Sequence, residues 1–127
     1  MIARDIMTRS VWTIRPDASA KEVAQLLSQK RISGVPVVDS NNRIIGIVTE
    51  ADIISKVDRE GLCVKDIMSS EVTAVDEETP VGEIAALLTE RKFKRVPVVT
   101  SGKIVGIVSR ADIVNAVAQG HLIIRQW

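Results

Sequence analysis

Val35-Pro36-Val37-Val38, followed after a polar turn by Ile44-Ile45-Gly46-Ile47-Val48-Thr49-Glu50-Ala51-Asp52-Ile53, decides the fold because it occurs twice. It returns as Val96-Pro97-Val98-Val99 and Ile104-Val105-Gly106-Ile107-Val108-Ser109-Arg110-Ala111-Asp112-Ile113. Working outward, the repetition spans residues 4 to 57 and 65 to 117, opening on Arg4-Asp5-Ile6-Met7 and Lys65-Asp66-Ile67-Met68. A self-similar period of this size means two copies of one structural unit. The second copy is one residue shorter, and the difference falls at Asn41-Asn42 against Gly102, in a turn where length changes are tolerated.

The hydrophobic period changes in a set order within each copy. Trp12-Thr13-Ile14 is a short apolar segment closed by Arg15-Pro16-Asp17. Ala20, Val23, Ala24 and Leu27 then recur at helical spacing behind Ser19, with Glu22 placed for a capping box. Val35 to Val38 and Ile44 to Val48 are continuous apolar runs, the pattern of buried strands joined by a turn. Thr49 starts a second helix carrying Ile53, Ile54 and Val57 and ending near Gly61. In copy two, Val81, Ile84, Ala85 and Leu88 form the first helix behind Thr79-Pro80, a cap-then-proline start. Each copy therefore predicts β-α-β-β-α, an α/β (α+β) fold, with residues 1–60 as the first repeat and 61–127 as the second.

Composition narrows the function classes. Of the 127 residues, 46% are hydrophobic and only 2% aromatic, so the core is built of aliphatic side chains. A half of this length is near the lower limit for an independent core, which predicts that the halves share apolar surface. The net charge of +1 lacks the basic excess of a nucleic-acid binder, and the scarcity of rings disfavours base stacking. No apolar run approaches a membrane span and no signal-peptide pattern opens the chain, so a soluble, cytoplasmic protein is expected. Cys63 reads as an inert thiol in the linker, and His121, without a repeated acid or hydroxyl nearby, reads as a surface or interface residue. No Cys/His cluster supplies metal ligands, and an enzyme is not expected.

Two readings stand for Thr49-x-x-Asp52 and Ser109-x-x-Asp112, each placed where a buried strand passes into a helix. One is a capping box at the helix start. The other has the hydroxyl and first helical N–H groups facing a phosphate while the carboxylate accepts from a sugar's vicinal hydroxyls. Both copies use Asp where Glu would cap, and the shorter acid is expected to reach its own N-terminus less easily, which favours the second reading. Val35-Pro36 and Val96-Pro97 are either edge-strand prolines or strand starts that leave backbone groups for a ligand. Beside them, Arg91, Lys92, Lys94 and Arg95 in copy two stand where copy one has Lys30, Arg31, Ser33 and Gly34. That basic run is either a solvated face or a phosphate neutraliser.

The doubled unit, the Val-Pro-Val-Val strand and the Gly-Ile-Val-[Thr/Ser]-x-Ala-Asp-Ile step resemble the CBS-domain pair, the regulatory module named after cystathionine β-synthase, over residues 4 to 118. The resemblance implies two pseudo-symmetric halves packed sheet to sheet, whose clefts take adenosine-containing ligands such as AMP, ADP, ATP or S-adenosylmethionine, as an energy or metabolite sensor. It places Asp52 and Asp112 on ribose hydroxyls and Thr49 and Ser109 near the phosphate. Ile14 with Val35-Pro36, and Val75 with Val96-Pro97, would sandwich adenine and offer backbone groups to its edge. Lys94 and Arg95 match a position that often contacts phosphate, and Ser33-Gly34 departs from it, so two clefts of unequal affinity or ligand charge are expected. A homodimer and an unidentified regulated protein are implied by the same resemblance. The competing function is a dimerisation or docking module without a ligand, motivated by the apolar tail Leu122-Ile123-Ile124 with Trp127.

Overall fold

The computed structural model describes residues 1–122. The chain divides into two compact units, one formed by Trp12–Val72, the other by Met1–Val11 together with the chain from Thr73 onward. We call these the first-repeat and second-repeat units. Their limits differ from the sequence repeats at 1–60 and 61–127, because each short Asp-Ile-Met element packs with the other copy's strands.

In the first-repeat unit, Ser19 opens helix α2 (Ala20–Lys30) by accepting the Glu22 N–H at 3.0 Å, half of the expected capping box. The preceding short helix α1 (Ala3–Ile6) belongs to the other unit. Val23 and Leu27, four residues apart, are the buried face of α2. The helix ends at Arg31 in the left-handed region, with the Ile32 N–H returning to the Leu27 carbonyl. Strands β1 (Gly34–Val38) and β2 (Ile44–Thr49) pair antiparallel with Pro36 opposite Ile47. On the outer edge of β1, Ile14 donates to the Pro36 carbonyl and accepts from Val38. Pro16 has no N–H to carry the ladder on to the Val38 carbonyl, so the first strand is reduced to a single bridge, Ile14 to Val37. Helix α3 (Glu50–Ile54) is shorter than its apolar pattern predicts: it caps at Ser55, and Ile54 and Val57 are exposed.

Short helix α4 (Val64–Ile67) completes this unit by laying Val64 and Ile67 into the core with Val23, Leu27, Val35, Val37 and Val48. Ser69 then bridges Ile47 on β2, both bonds at 2.9 Å. Met68 crosses over Gly46, where a Cβ would lie 2.5 Å from its sulfur and 3.0 Å from the Ser69 carbonyl oxygen. Only glycine admits this approach.

The second-repeat unit follows the same plan with fuller elements. Strand β3 (Val75–Asp76) runs parallel to β4 (Arg95–Thr100), which pairs antiparallel with β5 (Lys103–Ser109). Both units have the same bulge beside the glycine that both copies carry, between Val37 and Val38 and between Val98 and Val99. Ser101 and Gly102, both at positive φ, make a two-residue hairpin turn. Helix α5 (Val81–Arg91) starts one residue later than expected: Pro80 is its N-cap, and Thr79 instead accepts the Asp76 N–H through Oγ1. Helix α6 (Arg110–Ala118) closes the unit. The core gathers Val75, Ile84, Leu88, Val96, Val98 and Val108 with Ala3 and Met7, so α1 occupies here the place that α4 holds in the other unit. Among the described residues no helix is long and apolar enough to cross a membrane.

Candidate functional site

Each unit carries its hydroxyl and carboxylate at the step from its last strand into its last helix. In the first-repeat unit, Thr49 has extended backbone (φ −117°), which turns its N–H toward the third helical residue. Asp52 Oδ2 accepts that N–H at 2.7 Å and the Thr49 hydroxyl at 3.1 Å, while the Asp52 N–H approaches Thr49 Oγ1 at 3.4 Å. Ser109 (φ −107°) repeats the arrangement: its N–H meets Asp112 Oδ2 at 2.8 Å, and its Oγ accepts the Asp112 N–H at 3.1 Å.

Both steps are complete capping boxes, which corrects the expectation that an aspartate reaches back poorly. The extended cap residue closes the distance, so the shorter acid suffices. Each box engages Oδ2. Asp52 Oδ1 has no hydrogen bond among the described residues, and Asp112 Oδ1 accepts only from Thr8 Oγ1, at a long 3.4 Å. Both aspartates are half-buried, so each keeps one carboxylate oxygen with acceptor capacity after capping its helix.

The apolar candidates divide differently. Val35 and Val96 are 1% and 0% exposed and lie in the two cores, with backbones in register opposite Val48 and Val108. Their side chains therefore fill the two cores. Val75 is likewise a core residue, and Ile14 packs partly against its own core with backbone N–H and carbonyl both bonded. Pro36 and Pro97 are buried in their strands.

Lys94 is exposed, and Arg95 is half-buried in the ladder position opposite Ser109. The Arg95 Nε is buried without a hydrogen-bond partner. In the first-repeat unit the position opposite Thr49 is Gly34, whose ideal Cβ would lie 3.3 Å from the Val48 carbonyl oxygen. Arg95 thus stands opposite Ser109 where Gly34 stands opposite Thr49.

Two residues escape the sequence reading. Thr8 reaches Asp112 because its backbone pairs with Ile107 on β5, at 2.8 and 2.9 Å. Its signal is present: a hydroxyl follows Asp-Ile-Met in both copies, at Thr8 and Ser69. Arg110, inside the repeated step, donates from Nε to the Phe93 carbonyl at 2.7 Å and from Nη2 to the Leu88 carbonyl at 3.3 Å. A groove of about 370 Å³ in this unit is lined by Ala85, Leu88, Thr89, Arg110, Ile113 and Val114, none of them a predicted site residue. Among the described residues no group of three His, Cys, Asp or Glu side chains could hold a metal ion. Residues 123–127, which carry most of the apolar tail, lie outside the described residues.

A doubled strand-to-helix step with a hydroxyl and an acid defines a tandem α+β module, and the family model for the CBS domain matches residues 3–59 and 64–119. The chain belongs to the CBS domain family as a tandem pair. It is 31% identical to the uncharacterised protein MJ1232 of Methanocaldococcus jannaschii over 90% of its own length, and spans 38% of that relative. Among solved structures it resembles CBSX2 of Arabidopsis thaliana in complex with AMP, at a TM-score of 0.87 and 31% identity, covering 95% of this chain and 98% of that one. The CBS domain pair of MJ0100, in complex with 5′-methylthioadenosine and S-adenosyl-L-methionine, matches at a TM-score of 0.81 and 27% identity, covering 94% and 98%.

Proposed function

We propose that this chain is a regulatory module that binds adenosine-containing ligands and performs no chemistry of its own. The observation that carries the reading is the spare carboxylate oxygen of Asp52 and Asp112, held beside a hydroxyl at a helix start in both units. A capped aspartate with one free acceptor edge suits a vicinal diol, and the helix start suits a phosphate. Support comes from the neighbours: CBSX2 has been solved with AMP, and the MJ0100 pair with two adenosyl compounds. In this reading Asp52 and Asp112 take ribose hydroxyls, Thr49 and Ser109 approach phosphate, and Ile14, Pro36 and Pro97 border the base. Val35, Val75 and Val96 support from the core. Lys94 and Arg95 neutralise an anion in the second-repeat unit alone, so AMP, ADP or ATP suits that site, and the less basic site suits S-adenosylmethionine.

Calorimetric titration with AMP, ADP, ATP and S-adenosylmethionine tests the proposal. Binding of at least one, weakened by Asp52→Ala or Asp112→Ala, is the expected result. Silence from all four at millimolar concentration overturns it. Occupancy regulates only as far as affinity differs between two states of the protein, so scattering or partner binding should change with saturating ligand.

A second reading, association with another copy with or without ligand, is favoured by one observation. Ile54 and Val114, at matching positions of the last helix in each unit, are 70% and 66% exposed. Sedimentation of an Ile54→Asp, Val114→Asp variant tests it: a dimer that becomes a monomer supports the reading, and an unchanged mass refutes it. The cytoplasm is the compartment this reading expects.

A further inference from the structure

We propose that Arg110 is a positioning residue that aims Lys94 and Arg95 at the anionic end of a ligand in the second-repeat unit; this deepens the function proposed above and rests on it. One residue ties the helix-bearing step to the basic segment twice and to the end of α5 once. The Arg110 N–H donates to the Lys94 carbonyl at 3.0 Å, its Nε to the Phe93 carbonyl at 2.7 Å, and its Nη2 to the Leu88 carbonyl at 3.3 Å. Leu88 belongs to the last turn of α5, Phe93 and Lys94 to the segment that leaves it, so the fork spans the bend.

That bend passes through Lys92 in the left-handed region, φ 57°, as the matching bend passes through Arg31, φ 54°. A lysine in place of Arg110 would supply a positive charge to the carbonyl end of α5, but a point charge does not fix the direction of the chain leaving it. The planar guanidinium does, because its donors diverge at a set angle. The segment so fixed delivers Arg95 to the place opposite Ser109, with its Nε buried and without a hydrogen-bond partner among the described residues.

The first-repeat unit is the internal control. Glu50 stands where Arg110 stands and, among the described residues, keeps only the backbone bond, from its N–H to the Ser33 carbonyl at 2.9 Å. The segment it would position there is Ser33-Gly34, which has no cation to aim. Clamp and basic pair occur together in one unit and are missing together from the other.

The test compares AMP with adenosine, which lacks the phosphate, by calorimetry on the full chain in an Asp52→Ala background, so that the site beside Arg95 reports. Arg110→Ala should lower AMP affinity about tenfold or more, the equivalent of one charge-assisted hydrogen bond. Adenosine affinity should stay unchanged. Arg110→Lys, which keeps the charge at the helix end but not the fork, should recover the melting temperature without recovering the AMP-to-adenosine ratio, and it carries the test if the alanine variant does not fold. Equal loss for both ligands, or an unchanged ratio in either variant, overturns the positioning role while leaving the proposed function intact. A parent protein that binds neither ligand overturns both.

Discussion

The second-repeat and first-repeat units have cores of one pattern and differ at the polar edge of each. Val23, Leu27, Val35, Val37 and Val48 in one match Ile84, Leu88, Val96, Val98 and Val108 in the other, position for position. Outside the core the second-repeat unit is more strongly tied: a third strand in place of one bridge, a nine-residue α6 against a five-residue α3, and an arginine fork where the other unit has Glu50. Identical apolar spacing thus yields one scaffold twice, and a few polar exchanges make two unequal sites on it.

The difference is broken most forcefully at the methionines that cross the glycines. Met7 is 9% exposed and belongs to the second-repeat core, whereas its counterpart Met68 is half-buried against the other core. Met7→Ala should destabilise by about 2 to 5 kcal/mol, with Met68→Ala nearer the lower end, because less of its side chain leaves water. Urea unfolding checks both. Equal losses would mean that the two elements pack alike despite their unequal burial.

Next in size come the aspartates. Asp112→Ala and Asp52→Ala should each cost about 1 kcal/mol of stability as lost caps. Ligand affinity should fall further, by about 1.5 to 3 kcal/mol per site, if the spare oxygen holds a ribose hydroxyl. Titration beside thermal melting separates the two quantities. Thr8→Val sharpens the comparison, since it removes a partner of Asp112 alone.

How far the sequence leads follows from which interactions are local. The strands, the first helix of each copy and the hydroxyl-to-acid step are legible because their signals lie within a few residues, as in Ser19 with Glu22 or Thr49 with Asp52. The exchange of Asp-Ile-Met elements is not, because nothing within residues 1–11 says that Ala3 and Met7 pack with strands a hundred residues later. Thr8 escapes for the same reason. That Val35 and Val96 turn their side chains into the cores is not legible either, because a continuous apolar run does not reveal which of its faces is buried. Arg110 is easily passed over since a residue that differs between the copies looks variable, although here the difference is the informative part.

Exchanging that difference gives a smaller effect. Glu50→Arg would place a cation near the carbonyl end of α2, where Arg31 already turns the chain through the left-handed region. A stabilisation of about 0.3 to 1 kcal/mol is expected from the helix dipole. Denaturant midpoints of Glu50→Arg and Arg110→Glu should move in opposite directions. A shift of the same sign in both would show that the two helix ends are not equivalent environments.

The smallest contrast lies in the hairpin turns and appears only in acid. Asp39 Oδ1 accepts the Arg43 N–H at 3.0 Å and the Asn41 N–H at 2.8 Å, and the Arg43 hydrogen bond is the main reason its pKa is held below the ordinary value of 3.8. A carboxyl group depressed in the folded state adds stability that is present above its unfolded pKa and is lost as pH falls through the folded one. The loss should therefore set in around 3.8 and run to completion as pH falls through and below the depressed value. The matching turn, Thr100-Ser101-Gly102-Lys103, has no carboxylate to protonate, and two of its residues take positive φ where the first-repeat turn has Asn42. Asp39→Asn should remove this part of the acid dependence of melting while leaving its other contributions in place. If the acid limbs of the wild-type and Asp39→Asn profiles superimposed, the carboxylate's hydrogen bonds in the first-repeat turn would carry no net stability, and the two turns would be equal in energy though unlike in build.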